Sequence, residues 1–155
     1  MDQSPTHTQT VYEAVRLPAI EARREMLLGG SLIHIFGTPR PAPGEPSGEP
    51  IVSIPIREDV GVVSDIVENS VRRVYLEFYT PLEERVTSVT TSEGVEPKWA
   101  RIETASNEWW ADVSVSVEGG DGELQMVQTG IEEGQPVARL FNGAFARISS
   151  FVIEG

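Results

Sequence analysis

The chain contains no cysteine, two histidines (His7 and His34) and a single lysine, Lys98. Without cysteine, thiol nucleophiles, disulfide staples, iron–sulfur clusters and cysteine-bearing zinc modules are excluded. Cations are scarce: 12 Lys and Arg stand against 24 Asp and Glu in 155 residues, a formal charge of −12. Contact with a phosphate backbone draws its affinity from Lys and Arg that displace counterions, so no direct nucleic-acid partner is expected. Long apolar runs are missing too. The most apolar stretch, Leu27 to Phe36, is interrupted by Gly29, Gly30 and His34 and falls far short of the ~20 residues of a membrane span. Met1 to Thr10 is polar, with neither a basic nor an apolar leader segment, so an aqueous location without a membrane partner is the expectation.

What is present points to a β-rich domain. A chain of this length supports one domain with a substantial core. All cations but Lys98 are Arg, the residue suited to bidentate carboxylate pairs and partial burial. Residues 1–29 read as an N-terminal arm. Ala19 to Leu28 is rich in helix formers, and Pro18 suits a first helical position. Gly29–Gly30 supplies the stop. A short turn at Val11 to Leu17 and a helix from about Pro18 to Leu28 are therefore expected.

From residue 30 onward the apolar period changes to two. Ser31 to Phe36 reads as a strand covered on both sides. Gly37 to Pro50 holds five prolines and three glycines in fourteen residues, an extended or turning loop. Ile51 to Ile56 is a strand that Pro55 assigns to an edge. Val60 to Val63 and Ile66 to Val67 suggest short strand pieces, and Val71 to Tyr79 a longer one. Pro81 to Pro97 reads as a loop whose irregular strand lies in the β-branched run Val86 to Thr91. Trp99 to Thr104, Trp110 to Val117, Leu124 to Gln128, Pro136 to Phe141 and Ala144 to Ile153 complete the set, with a turn at Gly119 to Gly122. Short strands separated by turn chemistry predict a mostly β fold, an antiparallel β-sandwich or jelly-roll-like domain over residues 30–155 behind the helical arm.

Searches for catalytic chemistry find little. A triad needs a nucleophile, a base and an orienting group, and there is no G-x-S-x-G elbow or D-[ST]-G motif. His34 sits in an apolar strand, where a structural histidine bonded to a backbone group is expected. Asp121-Gly122-Glu123 lacks the alternating ligands of a calcium loop, and no Gly-rich stretch matches a nucleotide-binding pattern. The expectation is a protein without enzymatic activity, metal or cofactor. Two features stand out as candidate interaction surfaces instead. Trp109 and Trp110 are adjacent in a strand and so point to opposite faces. The arm carries Val11, Tyr12, Val15 and Leu17 among polar residues, positioned to pack on its own domain or on a neighbour. Removing Met1 to Leu17 is expected to leave a folded domain.

The run Gly29-Gly30-Ser31-Leu32-Ile33-His34-Ile35-Phe36-Gly37-Thr38-Pro39-Arg40-Pro41-Ala42, followed by Ile51-Val52-Ser53-Ile54-Pro55-Ile56, resembles the opening of a family of small tailed-bacteriophage virion structural proteins. Their pattern is a short helix, then Gly-Gly-x-Leu-x-Ile-x-x-Gly-Thr-x-Pro, a small-residue loop and an apolar strand. Trp99-Ala100-Arg101-Ile102, Gly119-Gly120-Asp121-Gly122-Glu123-Leu124, Ile131-Glu132-Glu133-Gly134-Gln135-Pro136-Val137 and Ala146-Arg147-Ile148-Ser149-Ser150-Phe151 follow in the same order. The resemblance covers about Ala19 to Ile153, with an insertion across Asp65 to Thr91. The chain departs from the pattern in its acidity, in Phe36 where Tyr is common, and in its longer Pro-rich loop. The resemblance implies a structural virion protein assembled in the host cytoplasm, without catalytic residues. A capsid decoration or cement role is expected first, with a neck, collar or tail-associated adaptor as the alternative. The implied partners are the major capsid protein or other virion proteins, together with further copies of the chain.

Overall fold

The computed structural model describes residues 11–69 and 71–155. A π-helical turn, Tyr12–Arg16, runs directly into a helix α1, Leu17–Glu25, with Pro18 in its first turn. Eleven strands follow: β1 Leu32–Phe36, β2 Val52–Pro55, β3 Gly61–Glu68, β4 Val71–Phe78, β5 Leu82–Arg85, β6 Trp99–Glu103, β7 Trp109–Val117, β8 Leu124–Met126, β9 Gly130–Glu132, β10 Gln135–Val137 and β11 Phe145–Glu154. The fold is mostly β with an N-terminal helical segment, as expected. Nine strands form one curled sheet in the order β2-β1-β6-β7-β8-β11-β4-β3, with β5 added on β11. Curling brings the edge strand β2 against β5, so the sheet nearly closes on itself around a single core. β9 and β10 form a separate hairpin.

Cross-strand register fills the interior in rows. Ile54, Ile33 and Ile102 lie in one row, and Val52, Ile35, Ala100 and Val113 in the next. All of these are buried. On the far side of the core Val74, Leu76, Phe78, Phe151 and Ile153 complete the packing, with Phe78 stacked on Phe151 at 4.1 Å. Tyr12, Ile20 and Leu27 belong to the same core, so the arm is packed on its own domain. Burying a side chain such as Ile20 stabilises by roughly 1.5–3 kcal/mol.

Several boundaries differ from expectation for identifiable reasons. The pieces at Val60–Val63 and Ile66–Val67 are one continuous strand, β3, paired with β4 from Gly61↔Phe78 to Glu68↔Val71. The strand between Pro81 and Pro97 is Leu82–Arg85, not the β-branched run after it. Val86 and Val89 are instead buried as loop residues that plug the core. The stretch Pro136–Phe141 contributes only β10, with Leu140 bridging to Val95. α1 ends at Glu25 rather than Leu28, and the chain unwinds through turns to Gly30.

The largest departure lies at β7 and β8, which pair in parallel, Val115↔Leu124 through Val117↔Met126. Parallel neighbours ordinarily need a long crossover. Here the chain reverses at Gly119 and runs back beside β7 before turning again into β8. Glu123 N–H donates to Ser114 Oγ (3.1 Å), and Gly122 N–H to Ser116 Oγ (3.0 Å). A Cβ on Gly122 would lie 2.5 Å from Ser116 N, so only glycine fits the returning segment.

Candidate functional site

Period-two alternation sends one set of side chains to the outer face of β2-β1-β6-β7, and register aligns them. Ser53, His34, Arg101 and Asp112 lie in a single row across the four strands. Arg101 grips Asp112 with two bonds, Nε to Oδ1 at 2.7 Å and Nη2 to Oδ2 at 2.9 Å, and both side chains are buried. Gly44 N–H adds a bond to Oδ2 (3.2 Å), and Trp109 Nε1–H one to Oδ1 (3.1 Å). Burial alone would raise the Asp112 carboxyl. The Arg101, Gly44 and Trp109 donors outweigh it and hold the group below the usual carboxylate range. Arg40 donates to the Asp112 carbonyl at 2.9 Å. Asp112 thus fastens the Pro-rich 37–50 loop across the sheet. Beside it Phe36 stacks on Trp99 at 4.3 Å, and both are buried.

His34 occupies the other half of the row. Its Nδ1 lies 2.7 Å from Ser53 Oγ and its Nε2 lies 3.2 Å from Glu103 Oε2. An ionised carboxylate can only accept, so a neutral imidazole here carries its proton on Nε2 and turns its Nδ1 lone pair to the hydroxyl. The expected bond to a backbone group is not what holds this histidine. Its partners are side chains on the two flanking strands, because β1 is paired on both sides. Ser53, on the edge strand, also lines a groove of about 560 Å³ at the β2/β5 seam. Among the described residues no group of three or more His, Asp or Glu is arranged to hold a metal ion, Asp121 and Glu123 included.

The two tryptophans point to opposite faces, as strand geometry requires, but a β-bulge resets the alternation. Glu103 pairs with Trp109 and Ile102 with Ala111, so Trp110 is the extra residue. The bulge puts Trp110 in the core with Val113, and Trp109 on the outer face with Asp112. Uninterrupted alternation would have set Trp110 beside Asp112. Trp110 is 7 % exposed, sits under the Arg23 guanidinium (4.4 Å) and donates from Nε1 to the Arg23 carbonyl at 3.1 Å. It is an anchor for α1 and unavailable to a partner. Trp109 is 51 % exposed.

The arm divides similarly. Tyr12 is 6 % exposed beneath the Arg72 guanidinium, 4.0 Å from its ring, and Arg16 donates to the Arg72 carbonyl. Leu17 is half-buried against the core. A truncation through Leu17 would therefore remove a core side chain, Tyr12, along with the exposed Val11 and Val15; residues 1–10 lie outside the described residues. Val11 and Val15 face outward, Val15 at 59 % exposure. β3 and β4 add apolar side chains that were not singled out as surface: Val62, Ile66 and Val71 on one face of the ribbon and Val67 on the other are all exposed, Val67 at 65 %. β3 is moreover the free edge of the sheet. Of the six candidate contact residues, Val11, Val15 and Trp109 are exposed, Tyr12 and Trp110 lie in the core, and Leu17 is half-buried against it. No family model, curated protein or solved structure matches the chain.

Proposed function

We propose that the chain is a structural protein of a tailed-bacteriophage virion, one that decorates or cements the assembled capsid. The resemblance of the Gly29–Ile56 segment and the later strand order supports this reading. The observation that carries it is the β3–β4 ribbon: an eight-residue edge strand with Val62 and Ile66 exposed on one face and Val67 on the other. Exposed edges are usually blunted or covered, and contiguous exposed apolar side chains mark contact surfaces. A shell protein gains from many weak, repeated contacts rather than one deep pocket, and such a ribbon supplies them. A carboxylate-rich surface keeps the protein soluble and away from packaged DNA.

Co-sedimentation with purified heads and tails of the phage that encodes the chain tests the proposal. Binding to heads in numbers that match the capsid lattice is the expected result. Val67→Glu and Ile66→Glu should weaken it at least tenfold with the fold intact by circular dichroism. Binding restricted to one ring at the neck or tail would move the role to the adaptor. Binding to neither particle would sink the virion reading.

A further inference from the structure

We propose that Ser53 is an activated nucleophile, with His34 as its general base and Glu103 as the positioning residue, at a site that takes small acyl esters carrying an anionic group. The three side chains come from β2, β1 and β6 and form one unbroken string: Ser53 Oγ to His34 Nδ1 at 2.7 Å, His34 Nε2 to Glu103 Oε2 at 3.2 Å. Nucleophile to base, and base to orienting carboxylate, is the connectivity of activated serines, here with the two imidazole nitrogens exchanged. Because the string lies across paired strands, the imidazole is set by sheet register and not by a mobile loop.

The string opens on a space able to hold a substrate. Ser53 forms part of the wall of the ≈ 560 Å³ groove at the β2/β5 seam, with Pro50, Val52 and Phe145 as apolar lining and Glu84, Arg85, Thr87 and Ser88 as polar lining. That volume is in the range of small-molecule clefts. Arg85 has no carboxylate within ion-pair distance among the described residues. Its guanidinium lies 5.0 Å from the Phe145 ring centroid and donates to the Gly143 carbonyl at 3.3 Å. Glu84, on the same wall, accepts at Oε1 from the Arg85 backbone N–H (3.0 Å) and not from the guanidinium, so the Arg85 cation is the group there that selects an anionic group on the ligand.

In the reaction, Ser53 Oγ attacks the ester carbonyl carbon as its proton passes to His34 Nδ1. The tetrahedral centre then collapses, the C–O bond to the alcohol breaks, and the alcohol leaves with the proton from His34. Water, deprotonated by the same nitrogen, cleaves the acyl–Ser53 ester and restores the hydroxyl. No oxidant or metal is consumed. Glu103 balances the imidazolium formed in each half.

This site stands independently of the virion reading, and either can fail alone. The full chain is treated with a fluorophosphonate, digested and read by mass spectrometry. A single adduct on Ser53 is expected, absent from the urea-unfolded chain and from Ser53→Ala. Adduct formation should slow about 100-fold or more in His34→Gln, in line with general-base contributions, and less in Glu103→Gln. With p-nitrophenyl esters, a preference for the succinate over the butyrate should disappear in Arg85→Gln. The proposal is overturned if the native chain forms no Ser53 adduct while a serine esterase is labelled in the same buffer. It is equally overturned if labelling persists in urea or spreads over other serines, since a purely structural hydrogen-bond string predicts that result.

Discussion

Two regions of the sheet use the same alternating pattern to opposite ends. Across β2-β1-β6-β7 the outward Ser53, His34, Arg101 and Asp112 form one polar row, bonded to each other or to the 37–50 loop, with the Phe36–Trp99 stack beside it. On the β3–β4 ribbon the outward side chains include Val62, Ile66 and Val71, with little covering them. One face is closed by its own chain, and the other is left open at an edge. The contrast shows that net charge alone does not describe this surface. Asp112 is a buried fastening, and part of the apolar exposure, at Val62, Ile66, Val67 and Val71, lies where the sheet ends.

Breaking the closed face should have the largest effect. Asp112→Ala leaves Arg101 buried without its carboxylate, a loss of about 3–5 kcal/mol in comparable buried pairs. Urea unfolding would read it, and a change under about 1 kcal/mol would mean that the 37–50 loop holds without the fastening. The same carboxyl sharpens the comparison through pH. Asp112 is held below its unfolded value, so its contribution is fully present above the ordinary Asp range near ~3.9 and drains away as pH falls through the lower folded value. Unfolding measured from neutral to strongly acidic pH should lose part of its acid slope in Asp112→Asn. An unchanged slope would remove Asp112 from the acid response. On the open face Val67→Ser should shift stability by no more than about 0.5 kcal/mol, as exposed positions do. A loss of several kcal/mol there would show that the ribbon is not an open surface in solution.

Much of the fold was legible because burial enforces period. Pro55 marked β2 as an edge, and β1, β6 and β11 fell within a residue or two of their expected limits. The site was less legible because it is made by register. Nothing local to Ser53, His34 or Glu103 shows that they meet, and the separation of 69 residues between His34 and Glu103 carries no periodic signal. Trp110 misled for a different reason. A bulge adds one residue and shifts every later side chain to the other face, and adjacent aromatics do not announce which of them is the extra one. At β5, Leu82 is the one buried residue of four, so its alternation is too short to outweigh the β-branched Val86 to Thr91 run. β8 defied expectation because the return through Gly120 and Gly122 is a matter of close approach, and a glycine cluster reads equally well as a simple hairpin turn.

That return also gives the molecule two kinds of folding distance. The strand β7, the backtracking segment and β8 close over separations such as the nine residues between Ser114 and Glu123, whereas β1 finds β6 across more than sixty residues. Loop-closure entropy makes the first cheap and early, the second slow. A refolding chain should therefore assemble the β7–β8 unit as a local nucleus and dock β1 onto it late. Gly122→Ala would then be felt in the folding rate, while Asp112→Ala would be felt mainly in the rate of unfolding.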